Sequence, residues 1–389
     1  MNNPHVIDAR FSKLSRTPTF RANGLAIWES TTLGIVGAGM LGGRLAREAI
    51  LSGVGEVRIW DFDQTEPHNL GNQFGHVGQV KVQNVAEQCD AIRPGRVRAF
   101  ATDVRHAGIR QLQQCDILID CSDDPRLVWP LTEISNGLEV PLLRAAVDGT
   151  GQMEMGRVLA SGSAADAACQ LCSFSLEDLI RHRTRRGCPA GRDDPVDPTL
   201  AGGALGSVVA GIALLQAQRL RTGNDRQHVI DREVLVDLSN MQLLEIKLER
   251  SAVCLSGHRR WSPTPVDLHP DGSSLNDLFS AAKQIPDPAF AAHDDDIELS
   301  FYLHPLNIQA SCSCGTAVQA VGTQWAPEPE CPSCQTAMQW LEETQIDQVS
   351  RHGAEQLNIL DRPLADLGIP SGAMVLMLAN GRLVHRLLL

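Results

Sequence analysis

The sequence is poor in lysine, in basic charge and in long apolar runs. Its 34 lysine and arginine residues face 46 acidic residues, which gives a net charge of -12. This balance argues against a nucleic-acid partner, because phosphate binding needs a clustered basic face. The longest apolar runs, such as residues 205–215, are shorter than the ~20 residues that span a bilayer, and the N-terminus lacks a signal-peptide pattern. We therefore expect a cytoplasmic protein with no membrane partner.

A glycine-rich turn follows the first apolar strand of the chain. Residues 33–36 read as a buried parallel strand, and Gly37, Gly39 and Gly42 open a helix whose N-terminal amides can hold phosphate. Asp61 ends the next strand about 20 residues on, where an acidic side chain usually binds ribose hydroxyls. The turn and Asp61 alone are compatible with an NAD-dependent oxidoreductase as well as with an ATP site.

The residues that follow Asp61 favour ATP chemistry. Four polar residues stand in Asp-x-Asp, Asn-x-x-x-Gln and Gly-x-x-Lys motifs, namely Asp63, Asn69, Gln73 and Lys81. A further strand, residues 117–120, leads to Asp123. In this order the motifs resemble the ThiF/MoeB/HesA-type adenylyltransferase superfamily, which includes the ubiquitin-activating enzymes, over roughly residues 10–258. Lys81 is one of only four lysines in the chain, which supports a role for it.

The resemblance implies an ATP-dependent enzyme that adenylates the C-terminal carboxylate of a ubiquitin-like or sulfur-carrier protein. It implies that the glycine turn and Asp61 bind ATP together with Asp63, and that Asp123 binds Mg²⁺. Phosphate positioning would fall to Lys81, Asn69 and Gln73. Because the family is usually dimeric, we also expect a homodimer, with a conjugating enzyme as a further partner.

Two more residues take their roles from the resemblance. Arg10 matches a family arginine that reaches a triphosphate, often across a dimer interface, although a surface arginine on a short helix is an equal interpretation. Cys188 stands in an arginine-rich crossover where the family places its catalytic cysteine. Nearby cations lower the pKa of a thiol, which favours transfer of the acyl group to Cys188 or sulfur transfer. The alternative is an ordinary loop cysteine.

The chain departs from the family at one phosphate-contacting position. Asn72 stands where the family motif Asn-x-x-Arg-Gln has arginine. Loss of that charge costs on the order of 2 kcal/mol of transition-state stabilisation unless Arg10 or another basic group substitutes. One alternative that therefore stays open is a weakly active or non-catalytic nucleotide-binding scaffold subunit. Another alternative, within the same fold, is an enzyme that adenylates a peptide or small carboxylate. Lys81 and Asp123 argue against the oxidoreductase.

Eleven cysteines in a chain without an export signal point to metal or catalysis more than to disulfides. One group matches a zinc ribbon with four thiolate ligands: Cys312, Cys314, Cys331 and Cys334. A second pair, Cys169 and Cys172, resembles half of the family's zinc site, which Cys254 and His258 could complete. Cross-wiring of Cys169 and Cys172 with the later cysteines, or buried reduced thiols, are the alternatives.

The pattern of strands and helices predicts an α/β fold with a Rossmann-like doubly wound, mostly parallel sheet. A small zinc-ribbon module and a C-terminal segment with a faint β-grasp-like pattern follow it. We expect five parts: an N-terminal helical arm, the adenylation domain, a linker, the zinc-ribbon module and a β-rich C-terminal segment, at residues 1–28, 29–259, 260–300, 301–342 and 343–389.

Overall fold

The computed structural model describes residues 9–149, 154–162, 166–178, 201–223, 229–285, 297–379 and 382–389. The chain divides into two compact units. The first takes the described residues of Met1–Asp103 and Gln113–Arg260, and the second those of Val104–Leu112 and Trp261–Leu389.

The first unit is built on an eight-stranded sheet. Its strands are β1 (Thr32–Val36), β2 (Glu56–Trp60), β3 (Val97–Phe100), β4 (Ile117–Asp120), β5 (Leu142–Asp148), β6 (Met155–Ser161), β7 (Arg232–Asp237) and β8 (Gln242–Lys247). The spatial order is β3-β2-β1-β4-β5-β6-β7-β8. The first five are parallel, and β6, β7 and β8 extend the sheet antiparallel. The predicted Rossmann-like, mostly parallel sheet is therefore confirmed.

The central strands are apolar because both faces of the sheet are covered there. Ile35 of β1 lies beside Ile59 of β2 and Ile119 of β4, and all three are fully buried. At the far edge, every residue of β8 is exposed. The sheet is thus a buried parallel core with an exposed antiparallel edge.

Five helices among the described residues belong to the first unit: α1 (Gly24–Glu29), α2 (Met40–Leu51), α3 (Lys81–Asp90), α5 (Val128–Leu138) and α6 (Gly203–Thr222). The short helix α4 (Ile109–Gln113) lies mostly in the second unit. Side chains of α1, α2, α3 and α6 share one buried cluster with Ile35, Ile59 and Ile119. Leu131 and Ile134 of α5 are buried outside that cluster. Helices therefore cover both faces, as a doubly wound fold requires.

Helix α6 is long and apolar enough, by length and composition, to cross a membrane. More than half of its most apolar window, 56%, is buried. Leu205, Val209 and Ala213 are fully buried in the core of the first unit. The packing is that of a core helix.

The second unit contains two further sheets. A five-stranded sheet has the order β15-β10-β16-β17-β9, and β11 to β14 form a four-stranded one. The strands are β9 (Thr264–Pro265), β10 (Ile297–Phe301), β11 (Leu306–Ser311), β12 (Ala317–Gly322), β13 (Gln339–Trp340), β14 (Gln345–Ile346), β15 (Val349–Ser350), β16 (Met374–Ala379) and β17 (Arg382–Leu388). Helices α7 (Leu275–Lys283) and α8 (Arg351–Gln356) complete the unit.

The stretch whose composition suggested a linker contributes to this second core. Ser274 caps α7 through a hydrogen bond from the Asp277 backbone, and Leu278 and Phe279 are buried. β10 is paired with both β15 and β16. The C-terminal strands likewise share one sheet with β10, so residues 261–285, 297–379 and 382–389 fold together. The boundaries of the five predicted parts stay a prediction.

Candidate functional site

The glycine turn between β1 and α2 leaves no room for a side chain at Gly37 or at Gly42. Gly37 has a φ of +92°, a conformation that L-residues rarely adopt, and its amide donates to the Trp60 carbonyl at 2.8 Å. A Cβ on Gly37 would come within 3.0 Å of the Cys121 carbonyl oxygen, and one on Gly42 would collide with the Gly37 carbonyl. α2 begins at Met40, so its unpaired N-terminal amides face this turn. The backbone is suited to close approach by phosphate.

The Asp61 side chain holds the backbone of the glycine turn through hydrogen bonds. Its Oδ2 accepts the Ala38 amide proton at 2.7 Å, and its Oδ1 accepts that of Asp63 at 2.8 Å. Burial raises the pKa of Asp61, and these two backbone hydrogen bonds oppose the rise. Each carboxylate oxygen keeps a second lone pair, so Asp61 fits the ribose-binding role while it shapes the turn.

Lys81 begins α3 and is joined to the Asp-x-Asp motif. Its Nζ lies 2.9 Å from Oδ2 of Asp63, and its amide donates to the Asp63 carbonyl at 2.8 Å. Burial disfavours the ammonium, but the bond to Asp63 and the charges of Asp61, Asp63 and Asp123 outweigh it and raise the pKa of Lys81. The fold therefore brings together a fixed cation and three carboxylates predicted from sequence.

Asn69 and Gln73 are held by the backbone of their own segment. Asn69 is largely buried. Its side-chain Oδ1 accepts a hydrogen bond from the Glu66 backbone amide at 2.9 Å, and its backbone carbonyl accepts one from the Gln73 backbone amide at 2.8 Å. Nε2 of Gln73 lies only 3.8 Å from where a Cβ on Gly39 would stand. The Gln73 amide thus rests against the glycine turn, as a phosphate-positioning group needs.

Asp123 lies just beyond the end of β4 and is exposed. The buried Asp120 before it accepts hydrogen bonds from the amide and Oγ of Ser122, at 3.0 and 2.6 Å, which shapes the strand end. Exposed carboxylate oxygen is the ligand type that Mg²⁺ prefers, and Asp123 fits that role.

Sequence reasoning missed the charge partner of Asp120. Nε of Arg144, on β5, lies 3.6 Å from Oδ2 of Asp120 in a largely buried pair. Burial raises the pKa of Asp120 and the arginine opposes that rise, while burial lowers the pKa of Arg144. The sequence shows a charged residue in each of two apolar strands, but their pairing depends on the register of β4 against β5.

Arg10 lies away from the glycine turn of its own chain. It lines a cleft of about 430 Å³ with Phe11, Glu29, Arg93, Pro94 and Arg96. The Phe11 ring abuts Gly53, which follows the C-terminal end of α2. Helix α2 has 12 residues, and at 1.5 Å per residue its two ends are about 18 Å apart. The structure does not bring Arg10 to this glycine turn. Cys188 lies outside the described residues.

The four ligands predicted around Cys169 come together. The Sγ atoms of Cys169 and Cys172 are 3.8 Å apart, those of Cys169 and Cys254 are 3.5 Å apart, and Nε2 of His258 lies 3.2 Å from Sγ of Cys172. Zn–S bonds of about 2.3 Å in a tetrahedron place sulfurs roughly 3.8 Å apart, so this donor set fits zinc. Ser256 Oγ lies 3.4 and 3.3 Å from the thiols of Cys169 and Cys254.

The second group of cysteines converges in the same way. Sγ of Cys312 lies 3.4 Å from that of Cys334, and Sγ of Cys314 lies 3.6 Å from that of Cys331. All four sulfurs lie within 4.8 Å of one another. Hydrogen bonds, the largest from the Cys314 backbone, lower the pKa of Cys312 to about 6, which favours the thiolate that metal binding needs. Both clusters are compatible with zinc.

Most of the first unit is similar in sequence to a known protein family. The sequence profile of the ThiF family matches residues 11–256. "Adenylyltransferase and sulfurtransferase MOCS3" of Arabidopsis thaliana is 28% identical over 181 residues, 43% of this chain and 39% of that protein. "Adenylyltransferase and sulfurtransferase UBA4" of Yarrowia lipolytica is 26% identical over 227 residues, 55% of this chain and 52% of that protein. The chain thus spans about half or less of the length of these relatives.

Solved structures share the fold. E. coli MccB with MccA-N7isoASN aligns with a TM-score of 0.54 and 15% identity, over 64% of this chain and 75% of that one. E. coli MccB with succinimide aligns with a TM-score of 0.52 and 17% identity, over 64% and 75%.

Proposed function

This chain belongs to the ThiF family, and from that premise we propose that it adenylates a carboxylate with ATP. The substrate we propose is the C-terminal carboxylate of a ubiquitin-like or sulfur-carrier protein. Support for this substrate comes from the relatives, which are named adenylyltransferases and sulfurtransferases.

One arrangement carries the proposal. Asp61 accepts hydrogen bonds from the backbone of the glycine turn and of Asp63. Nζ of Lys81 lies 2.9 Å from Oδ2 of Asp63, and the negative charge of Asp123 also favours its ammonium form. A dehydrogenase needs the glycine turn and Asp61, but its hydride transfer does not require the Lys81 ammonium that the carboxylates hold near the phosphate-binding turn. Phosphoryl chemistry needs such a group, because it stabilises the negative charge that develops on the transferred phosphate.

The proposed reaction begins when a carboxylate oxygen attacks the α-phosphorus of ATP. A P–O bond forms to the carboxylate, the bond to the bridging oxygen breaks, and pyrophosphate leaves with the electron pair. The glycine turn would hold the phosphates by backbone amides, Gln73 would orient them, and Lys81 would offset their charge. Mg²⁺, held by Asp123, would supply charge neutralisation at the leaving pyrophosphate.

A second step would use Cys188. Its thiolate would attack the acyl carbon, a C–S bond would form, and AMP would leave as the C–O bond breaks. Sulfur transfer through the same residue is the other form of this proposal. The arginines around Cys188 in the sequence support a lowered thiol pKa.

Asn72 favours a second candidate function. With asparagine at the arginine position, the chain could serve as a weakly active or non-catalytic scaffold that binds nucleotide and presents its zinc module to a conjugating enzyme. Measurement of ATP–pyrophosphate exchange separates the two functions, because a scaffold binds ATP but produces no exchange.

We propose further that the chain acts as a homodimer in the cytoplasm, with zinc in both cysteine clusters. Arg10 lies at the far end of α2, so it could reach a nucleotide only in a partner copy. The exposed edge strand β8, which carries Leu243, Leu244 and Ile246, offers an apolar surface for such a copy.

The test is ATP–pyrophosphate exchange with carriers that end in diglycine, with short peptides and with small carboxylates as competing substrates. We expect exchange with a carrier, its loss in Asp123→Ala, and its retention in Cys188→Ala, which should lose only the later transfer. Exchange with a peptide alone would redirect the substrate assignment. ATP binding without exchange for any substrate would favour the scaffold.

A further inference from the structure

Position 72 is occupied by an asparagine whose backbone is held by an arginine of α2. Nη1 of Arg44 donates to the Asn72 carbonyl at 2.6 Å and to the Met40 carbonyl at 3.0 Å. The Asn72 side-chain amide lies 3.5 Å from the Ala201 carbonyl, just before α6. One guanidinium therefore joins the first turn of α2 to the Asn69–Gln73 segment.

A second arginine of α2 holds the other side of Gln73. The guanidinium of Arg47 lies over the Phe74 ring, 4.5 Å from its centroid. Phe74 is 58% exposed, so core packing does not fix this ring and the cation–π contact supplies much of its restraint. Asn72 and Phe74 flank Gln73 in the chain. Two arginines of α2 therefore contact the chain on both sides of Gln73, whose amide lies against the glycine turn.

The surroundings of Arg44 are shaped around its side chain. Its Nε donates to Ser207 Oγ at 3.1 Å, and a Cβ on Gly203 would come within 3.0 Å of its Nη2. The N-terminal end of α6 thus leaves space for the guanidinium at Gly203 and accepts a hydrogen bond from it at Ser207. Burial, with a contribution from the like charge of Arg47, lowers the pKa of Arg44, as expected for a cation held in a partly desolvated place.

We propose that Arg44 is a positioning residue that compensates for the missing arginine at position 72. By fixing the Asn72 backbone it holds Gln73 against the glycine turn, and it places a positive charge one helical turn from the phosphate-binding amides. The inference rests on the proposed function, because the phosphates of ATP are the ligand that this arrangement serves. An uncharged side chain at position 72 suits this arrangement, because an arginine there would place a second guanidinium beside that of Arg44 and the two positive charges would repel each other.

The test measures ATP binding by calorimetry, with the non-hydrolysable α,β-methylene analogue alongside, and kcat and KM for ATP in pyrophosphate exchange. The variants are Arg44→Met, Arg44→Lys, Asn72→Arg and the double variant with Arg44→Met and Asn72→Arg. We expect Arg44→Met to weaken ATP binding at least tenfold and Arg44→Lys to recover part of it. Asn72→Arg alone should weaken binding, and the double variant should regain most of it.

Arg362→Met is the matched control. Arg362 is also a partly buried arginine that donates to two backbone carbonyls, those of Val321 at 2.9 Å and Asp366 at 3.1 Å, but it lies in the second unit. We expect both variants to lower the unfolding temperature and only Arg44→Met to weaken ATP binding.

Wild-type ATP affinity and unchanged kcat and KM in Arg44→Met would overturn the inference. So would a double variant that binds ATP no better than Arg44→Met, because the arginine at position 72 would then not substitute for Arg44. If the wild type binds ATP but exchanges no pyrophosphate with any carboxylate, the proposed function fails, and the binding comparison still decides the role of Arg44.

Discussion

Replacing Lys81 by methionine should separate the stability of the site from its chemistry. Nζ of Lys81 is 2.9 Å from Oδ2 of Asp63, but the Asp63 side chain is 47% exposed. Because water screens that carboxylate, loss of the pair should cost only about 1 kcal/mol of the free energy of unfolding. In the proposed reaction the same ammonium faces phosphate, where loss of one fixed positive group costs about 3 kcal/mol, or ~10²-fold in rate.

The assay pairs pyrophosphate exchange with denaturant unfolding. Lys247→Met is the matched control, because Lys247 is an exposed lysine at the end of β8. We expect the control to match the wild type in both measurements. Exchange within about threefold of wild type in Lys81→Met would refute the assignment of Lys81 to the phosphates, since the predicted loss is ~10²-fold.

The pH dependence of the same variant gives a second check. The pKa of Lys81 is raised above its ordinary value of 10.5, mainly because the bond to Asp63 and the nearby carboxylates outweigh the opposing effect of burial. The stabilisation from the raised pKa is therefore fully present below pH 10.5 and is lost as pH rises through the higher folded-state value. Unfolding of Lys81→Met should lack that decline, whereas Lys247→Met should keep it.

Three further outcomes are expected. Gly42→Ala should abolish ATP binding in calorimetry and destabilise the protein by about 2 kcal/mol, because its Cβ would collide with the Gly37 carbonyl, whereas Gly43→Ala, which meets Val85 at 3.3 Å, should keep binding. Mass spectrometry of metals should find one zinc fewer per chain in His258→Ala than in wild type, and an unchanged zinc content would contradict the Cys169 site. Leu278 is fully buried in the second unit. Leu278→Ala should therefore lower the free energy of unfolding by about 2–5 kcal/mol in denaturant unfolding, since it leaves a cavity; a cost under about 1 kcal/mol would mean that this core is not packed as described.

Sequence predicts the parts of the site that depend on residues close together in the chain. An apolar run ending in Gly37 predicts a buried strand and its turn, and Asp61 and Lys81 each stand at an element end that local spacing locates. Parallel strands place those ends at one edge of a sheet, so residues far apart in the chain meet there. The ligands around Cys169 were likewise predictable, since thiols and imidazole have few other uses at such spacings.

The parts that sequence does not predict are contacts chosen by packing. Nothing in the order of residues distinguishes Arg44 from the other 29 arginines as the partner of Asn72, because that pairing depends on how α2 crosses the segment after β2. The pair of Asp120 and Arg144 depends on the register of β4 against β5 in the same way. Proline and aspartate around α7 suggested a linker, although Leu275, Leu278 and Phe279 give one helix face enough apolar surface to be buried.

A metal at the Cys169 cluster would act on the site from a distance. Cys169 and Cys254 are 85 residues apart in the chain, and α6, β7 and β8 lie between them. In the loop-entropy view, a cross-link that closes a loop of this length stabilises the folded state by about 4.5 kcal/mol. The Ser207 hydroxyl that receives Arg44 belongs to that loop. The metal would therefore stabilise the fold that holds Arg44 against the nucleotide site without touching either substrate, which gives a closed four-ligand site a physical reason to be present in a nucleotide-dependent enzyme.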